Sequence, residues 1–247
     1  MTMLEGRGLA KRYSRRGISV DALSEVSFYL DAGEILGVVG ESGSGKSTLL
    51  RIVSGLEAPD AGSILLDGAK LPFPREKEHY RSIQMIFQDA VGSFHPRRTV
   101  AASIRESVRG LCGRNCEPDL EELCGLIGLD HSLAARYPRN LSGGRCQRFA
   151  VARAVAVSPR VLLCDEITSA LDVSSQALLL RLVADVCRKK NISALFVSHD
   201  LSVISCLCDR VMVMYGGAVV ETGPVRDIIE HPVENYTKKL IASVLDV

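Results

Sequence analysis

Apolar residues along this chain follow two different spacings. Near the N-terminus the period is two: Val26, Phe28 and Leu30 fall on one face of a strand expected over residues 22–30, which Asp31-Ala32-Gly33 ends. Residues 35–39, Ile-Leu-Gly-Val-Val, form an unbroken apolar run, the mark of a short strand buried on both faces. A glycine-rich turn comes next, then a helix over 47–54 closed by Gly55. Strands are expected at 63–66, ended by Asp67-Gly68, and at 83–87. From about residue 90 to 158 the period becomes helical, with Ile104 and Val108 on one face, then Leu120, Leu123 and Ile127. Strand-like runs return at 161–164, 194–197 and 211–214, with a helix over about 174–190 between the first two. Strands alternating with helices imply an α/β fold with a parallel sheet, interrupted by a helical insertion.

Chemistry enters at the turn after the buried strand. Gly40-Glu41-Ser42-Gly43-Ser44-Gly45-Lys46-Ser47 fits G-x-x-x-x-G-K-[ST] without a mismatch, and it lies between a strand and a helix as that motif requires. Its glycines let backbone N–H groups close around phosphate oxygens, and the helix start adds positive potential. Lys46 is expected to reach the β- and γ-phosphates and Ser47 to ligate Mg²⁺; Thr48 follows directly. Such a loop needs a metal carboxylate and a group that orients water. The apolar run at 161–164 ends in Asp165-Glu166. Asp165 suits a contact to Mg²⁺, and Glu166, one residue further, suits the base for an attacking water.

Leu141-Ser142-Gly143-Gly144, Gln88 in Phe-Gln-Asp, Asp172 in Ser-Ala-Leu-Asp and His199 in Ser-His-Asp complete an ordered series of motifs. Over nearly its whole length the chain resembles an ATP-binding cassette (ABC) ATPase. The resemblance implies a P-loop NTPase core with a mixed sheet (residues 1–89 and 159–247), N-terminal antiparallel strands and a helical subdomain (90–158). It implies ATP and Mg²⁺ as cofactors, Gln88 as the Q-loop residue and a further magnesium contact, and His199 as the switch histidine. Asp172 would be the D-loop residue, and Tyr13 would stack on adenine. Leu141 to Arg145 would be a signature that faces ATP held by another subunit. Ser142 is expected to cap the helix running on to Val157, with Gly143 and Gly144 baring backbone at its start. Arg145 departs from the family, which has glutamine there.

Finer features narrow the branch. Residues 83–100, with Phe87-Gln88-Asp89 and Pro96-Arg97-Arg98-Thr99-Val100, resemble oligopeptide, dipeptide and nickel importer ATPases, with His95 in place of asparagine. His231-Pro-Val-Glu-Asn-Tyr236-Thr resembles a "HPYT" element of the same branch with altered spacing. The lack of cysteine beyond Cys208 favours short nickel-type or metallophore-type members, which import nickel or a metal chelate. The resemblance implies a second ABC ATPase subunit (a heterodimer in this branch), two membrane permeases and an extracytoplasmic solute-binding protein. The alternative is a soluble ABC ATPase acting on ribosomes or DNA, a class that usually fuses two cassettes.

Composition changes this picture little. The 247 residues are 47% hydrophobic and 24% charged, enough for a large core and unlike a disordered or collagenous chain. A formal net charge of +1 does not suggest a nucleic-acid binder. No apolar run reaches the roughly 18–20 residues that span a bilayer. The charged first residues lack the apolar core of a secretion signal. The chain is therefore expected to stay in the cytoplasm, and the resemblance to importer ATPases implies the cytoplasmic face of the membrane, as a peripheral subunit. The 8 cysteines form no C-x-x-C pair and are read as reduced thiols.

Overall fold

The chain opens with two long antiparallel strands, β1 (Thr2–Arg15) and β2 (Ile18–Asp31), in a computed structural model that describes residues 1–15 and 18–245. β2 buries Leu23, Val26, Phe28 and Leu30, as its alternation foretells. It also begins four residues before the expected strand, and there Ile18 and Val20 are 71% and 57% exposed, so hydrogen bonding to β1 rather than burial holds that end. β3 (Ile35–Val39) is buried at every position. Then come α1 (Lys46–Ser54), β4 (Ala61–Leu66) and the two-residue β5 (Ala69–Lys70). β2, β1, β4 and β5 hydrogen-bond in that order as an antiparallel sheet.

The middle of the chain contains α2 (Lys77–Ser82), β6 (Ile83–Ile86), α3 (Val100–Cys112), α4 (Leu120–Leu126) and two short 3₁₀ turns at His131–Ala135 and Pro138–Asn140. α5 (Gly143–Val155), β7 (Val161–Asp165) and α6 (Val173–Lys190) complete it. The helix starts are chemically marked: Thr99 caps α3, Asp119 caps α4 and Asp172 caps α6, each through its side-chain oxygen. Asn191, left-handed at φ 51°, ends α6. The last part holds β8 (Ser193–Val197), α7 (Leu201–Leu207), β9 (Arg210–Tyr215), β10 (Ala218–Pro224), α8 (Val225–Glu230) and α9 (Asn235–Leu245).

These elements gather into two compact units. The first joins residues 1–75 to the chain from 193 onward. In it β9, β3 and β8 run parallel side by side, and β10 adds antiparallel to β9, a mixed sheet. Val38, Val39, Phe196, Val197, Val211 and Val213 are at most 1% exposed. The second unit, 76–192, contains the parallel pair β6–β7 with helices α2 to α6. Its core gathers Ile104, Phe149, Val151 and Leu163, each at most 1% exposed. Burial of each large side chain contributes on the order of 1.5–3 kcal/mol.

All eight cysteines are free thiols. Burial pushes the Cys187 thiol up to about 12 and the Cys146 thiol to about 11, as suits core residues rather than nucleophiles.

Candidate functional site

In the first unit the expected phosphate loop leaves the carboxyl end of β3. Val39 pairs with Val213 of β9, so the next residue, Gly40, turns against the carbonyl of Met214. A Cβ on Gly40 would lie 2.2 Å from that oxygen, and at φ 151° only glycine sits there without strain. Gly45, at φ 102°, would put a Cβ 2.4 Å from the Ala22 carbonyl. The two glycines let the loop close tightly, and Gly45 opens α1 with no side-chain cap and no acidic residue in the first turn. That helix start therefore keeps its positive end for an outside anion.

Lys46 is only 5% exposed and curls back across its own loop. Its Nζ donates to the carbonyls of Gly40 and Glu41, both at 2.7 Å, and to Ser44 Oγ at 3.3 Å. Ser44 is buried and its backbone also holds the loop: its N–H donates to the Glu41 carbonyl, and its carbonyl accepts from Gly217 N–H. Glu41, Ser42, Gly43 and Ser47 are exposed, and Thr48 is half-buried. A buried ammonium inside a ring of backbone, at a helix start, is a donor set that fits phosphate oxygens.

Two other expected residues stand in this unit. Val38 pairs with Val197 of β8, so Gly40 and His199 follow neighbouring parallel strands by the same two residues and emerge at the same edge of the sheet. His199 is exposed, just before Asp200, which caps α7. Tyr13 is 37% exposed on β1. Its hydroxyl donates to Glu57 Oε2 at 2.6 Å. Burial raises the phenol, as does that carboxylate, while the Thr48 hydroxyl pulls it down, which puts Tyr13 beside the loop's helix.

The second unit brings together the remaining candidates. Ile86 of β6 pairs with Cys164 of β7, so Gln88 and Glu166 each stand two residues past a matched pair. Ser169 joins them: Gln88 Nε2 donates to Ser169 Oγ at 3.0 Å, and that hydroxyl donates to the Glu166 carbonyl at 3.0 Å. Ser169 carries no marker along the chain beyond its place in the Ser-Ala-Leu-Asp stretch. Asp165 ends β7 half-buried. Glu166 takes φ 44°, a left-handed conformation costing a residue with a Cβ on the order of 1–3 kcal/mol.

The Leu141 to Arg145 stretch opens α5, and one expectation is corrected there. Ser142 occupies the N-cap position with extended backbone, but its side chain makes no capping hydrogen bond. Its carbonyl accepts from Cys146 N–H instead, and the hydroxyl is left at the surface beside Gly143. α5 also ends at Val155 rather than Val157. Arg145 is exposed on the first turn. Arg148, one turn on, is held below its ordinary value by burial first and then by the charge of Arg145. Gln88, Ala90, Gly143, Gln147, Ile167 and Leu171 line one groove of about 330 Å³. Gln147, 3% exposed, donates to the Phe87 carbonyl and so ties α5 to the backbone before Gln88. Asp172 is exposed, and its carboxylate accepts from Ser175 N–H at 3.0 Å.

Within the second unit, the Asp165 carboxylate and the Gln88 carboxamide are oxygen donors of the kind a hard cation takes. Magnesium at a nucleotide site usually takes few protein ligands, the rest being phosphate and water.

A family model described as ABC transporter matches residues 23–169. The chain is 42% identical over 243 residues to the glutathione import ATP-binding protein GsiA of Pectobacterium atrosepticum, covering 96% of this chain and 38% of that one. It thus spans well under half the length of that relative. It is 40% identical over 246 residues to the methionine import ATP-binding protein MetN 2 of the same organism, covering 94% of this chain and 72% of the relative. The solved dimeric structure of the ATP-binding cassette MJ0796 in a post-hydrolysis state, bound to ADP and Pi, superposes with a TM-score of 0.80. It is 27% identical and covers 91% of this chain and 99% of that one. The solutes in these relatives' names are glutathione and methionine; neither name bears on nickel.

Proposed function

Because the chain belongs to the ABC transporter family, we propose that it is the ATP-binding and ATP-hydrolysing subunit of an importer, working at the cytoplasmic face of a membrane. The observation that carries the reading is the buried Lys46 ammonium inside a loop that Gly40 and Gly45 allow to close. Residues 40–48 hold the phosphates, and Tyr13 stacks on adenine. Ser47, Asp165 and Gln88 hold Mg²⁺, which when bound offsets phosphate charge. Glu166 takes a proton from the attacking water, and His199 lies at the same sheet edge as the loop to contact the γ-phosphate. Leu141 to Arg145 face nucleotide held by a second ATPase subunit, and Asp172 lies at that junction. Two permeases and an extracytoplasmic solute-binding protein complete the importer.

Glutathione is a tripeptide, and the 83–100 stretch resembles peptide and nickel importers. The solute we favour is a short peptide, ahead of methionine and of nickel or a metal chelate.

The test is the full chain with its co-purifying permeases in proteoliposomes. Lys46→Ala is expected to abolish ATP hydrolysis and ATP-driven uptake. Uptake at the wild-type level would overturn the assignment. Labelled glutathione, a dipeptide, methionine and Ni²⁺, offered separately, decide the solute.

A further inference from the structure

The C-terminal helix reaches the phosphate loop. Tyr236, on the first turn of α9, accepts a hydrogen bond at its hydroxyl oxygen from the backbone N–H of Glu41 at 3.0 Å. Its ring lies 4.3 Å, centroid to centroid, from Tyr215 at the end of β9, tilted by 36°. Burial raises the Tyr236 phenol above its ordinary value, against the pull of the Glu41 N–H, so the hydroxyl stays protonated.

The Glu41 peptide is thereby held on both sides. Its N–H goes to Tyr236, and its carbonyl accepts from Lys46 Nζ and from Ser44 N–H. The Glu41 side chain is exposed, and its charge adds to the rise of the Tyr236 phenol. Gly40 before it and Gly43 after it, at φ 151° and 84°, are joints with the wider intrinsic backbone freedom of glycine. A backbone pin between two such joints limits the conformations the loop loses when it closes on phosphate.

The docking of α9 does not need this hydroxyl. Ile241 and Thr237 are 7% and 1% exposed. The Glu221 carboxylate on β10 accepts from the N–H groups of Val233 and Glu234 just before the helix, at 2.8 and 3.1 Å. The phenol oxygen is the one polar atom of the Tyr236 side chain, and it accepts from the loop.

We propose that Tyr236 is a positioning residue for nucleotide: its hydroxyl, presented by α9, pins the Glu41 peptide and pre-shapes the loop that Lys46 completes. The proposal rests on the reading of residues 40–48 as an ATP site. It makes the C-terminal segment part of the nucleotide site.

The test compares the full-length wild type with Tyr236→Phe, which removes one oxygen and keeps the ring on Tyr215. MgATP is the probe. A single net hydrogen bond predicts an apparent KM for ATP raised roughly 3–10-fold with kcat nearly unchanged. The melting temperature without nucleotide falls by no more than about 2–4 °C, the worth of that one bond, and the Glu41 amide exchanges faster with deuterium. Tyr236→Ala, which also removes the ring, is expected to raise the KM at least as far. An unchanged KM in Tyr236→Phe, or a fall in kcat and melting temperature with KM unmoved, overturns the positioning role while the ATP site stands. A wild-type chain that binds no MgATP overturns the ATP reading and this inference with it.

Discussion

Glu166 is the residue at which backbone and chemistry conflict most openly. It follows a strand buried through Cys164, takes φ 44°, and its carbonyl accepts from the Ser169 hydroxyl that Gln88 also touches. Strain held in place by neighbouring hydrogen bonds is a common mark of a working position. Glu166→Gln keeps the size of the side chain and loses the base. In single-turnover measurements, hydrolysis at this chain's own phosphate loop should fall roughly 10²–10⁴-fold while ATP stays bound. Unchanged turnover would remove Glu166 from the proposed chemistry. The pair Asp165-Glu166 and the loop at 40–47 were legible because both are contiguous and flank apolar runs. Ser169 and Tyr236 were not, because a lone hydroxyl carries no pattern until a partner is placed beside it.

At the scale of elements, the segment around α9 offers a pH test. Burial raises the Glu221 carboxyl, but the hydrogen bonds it accepts outweigh that and hold it below its ordinary value of 4.5. A carboxyl lowered in the folded state lends stability that is present above 4.5 and lost as pH falls through its lower folded value. Protection of the Val233 and Glu234 amides against hydrogen exchange, taken relative to the intrinsic rate at each pH, is expected to fall over that acid range in the wild type. In Glu221→Gln it should be lower already at neutral pH and nearly flat below it. A wild-type profile as flat as the variant's would dismiss the carboxylate as the anchor. β2, β3, α1 and α6 were foreseen within four residues at their starts, since their apolar periods are strong. β1, β10, α8 and α9 were not delimited. β10 has no fully buried position and α8 is only six residues long, so the place of these last elements comes from what they pack on.

For the whole molecule, the prediction concerns what faces the start of α5. Arg145 puts a permanent positive charge at a helix N-terminus, next to Arg148, where a cation is disfavoured. If the stretch Ser142 to Arg145 faces a partner's nucleotide, Arg145→Gln should change turnover at the partner's site more than at this chain's own. The measurement disables each phosphate-loop lysine of the pair in turn and compares the variant's effect on the site left active. An equal effect on both sites, or full transport by a pair of identical chains, would defeat the asymmetric arrangement. By itself the sequence determined the local chemistry: a loop that needs glycine at 40 and 45, carboxylates at the end of an apolar run, and a helical stretch between strand-rich ends. Those features depend on backbone preferences and burial patterns that act over a few residues. The tertiary structure decided what lies far apart in the chain. It set Gly40 and His199 at one sheet edge through the β3–β8 register, left Ser142 uncapped, and laid Tyr236 on Glu41 across 195 residues. Such contacts depend on strand register and helix docking, which the spacing of residues along the chain does not encode.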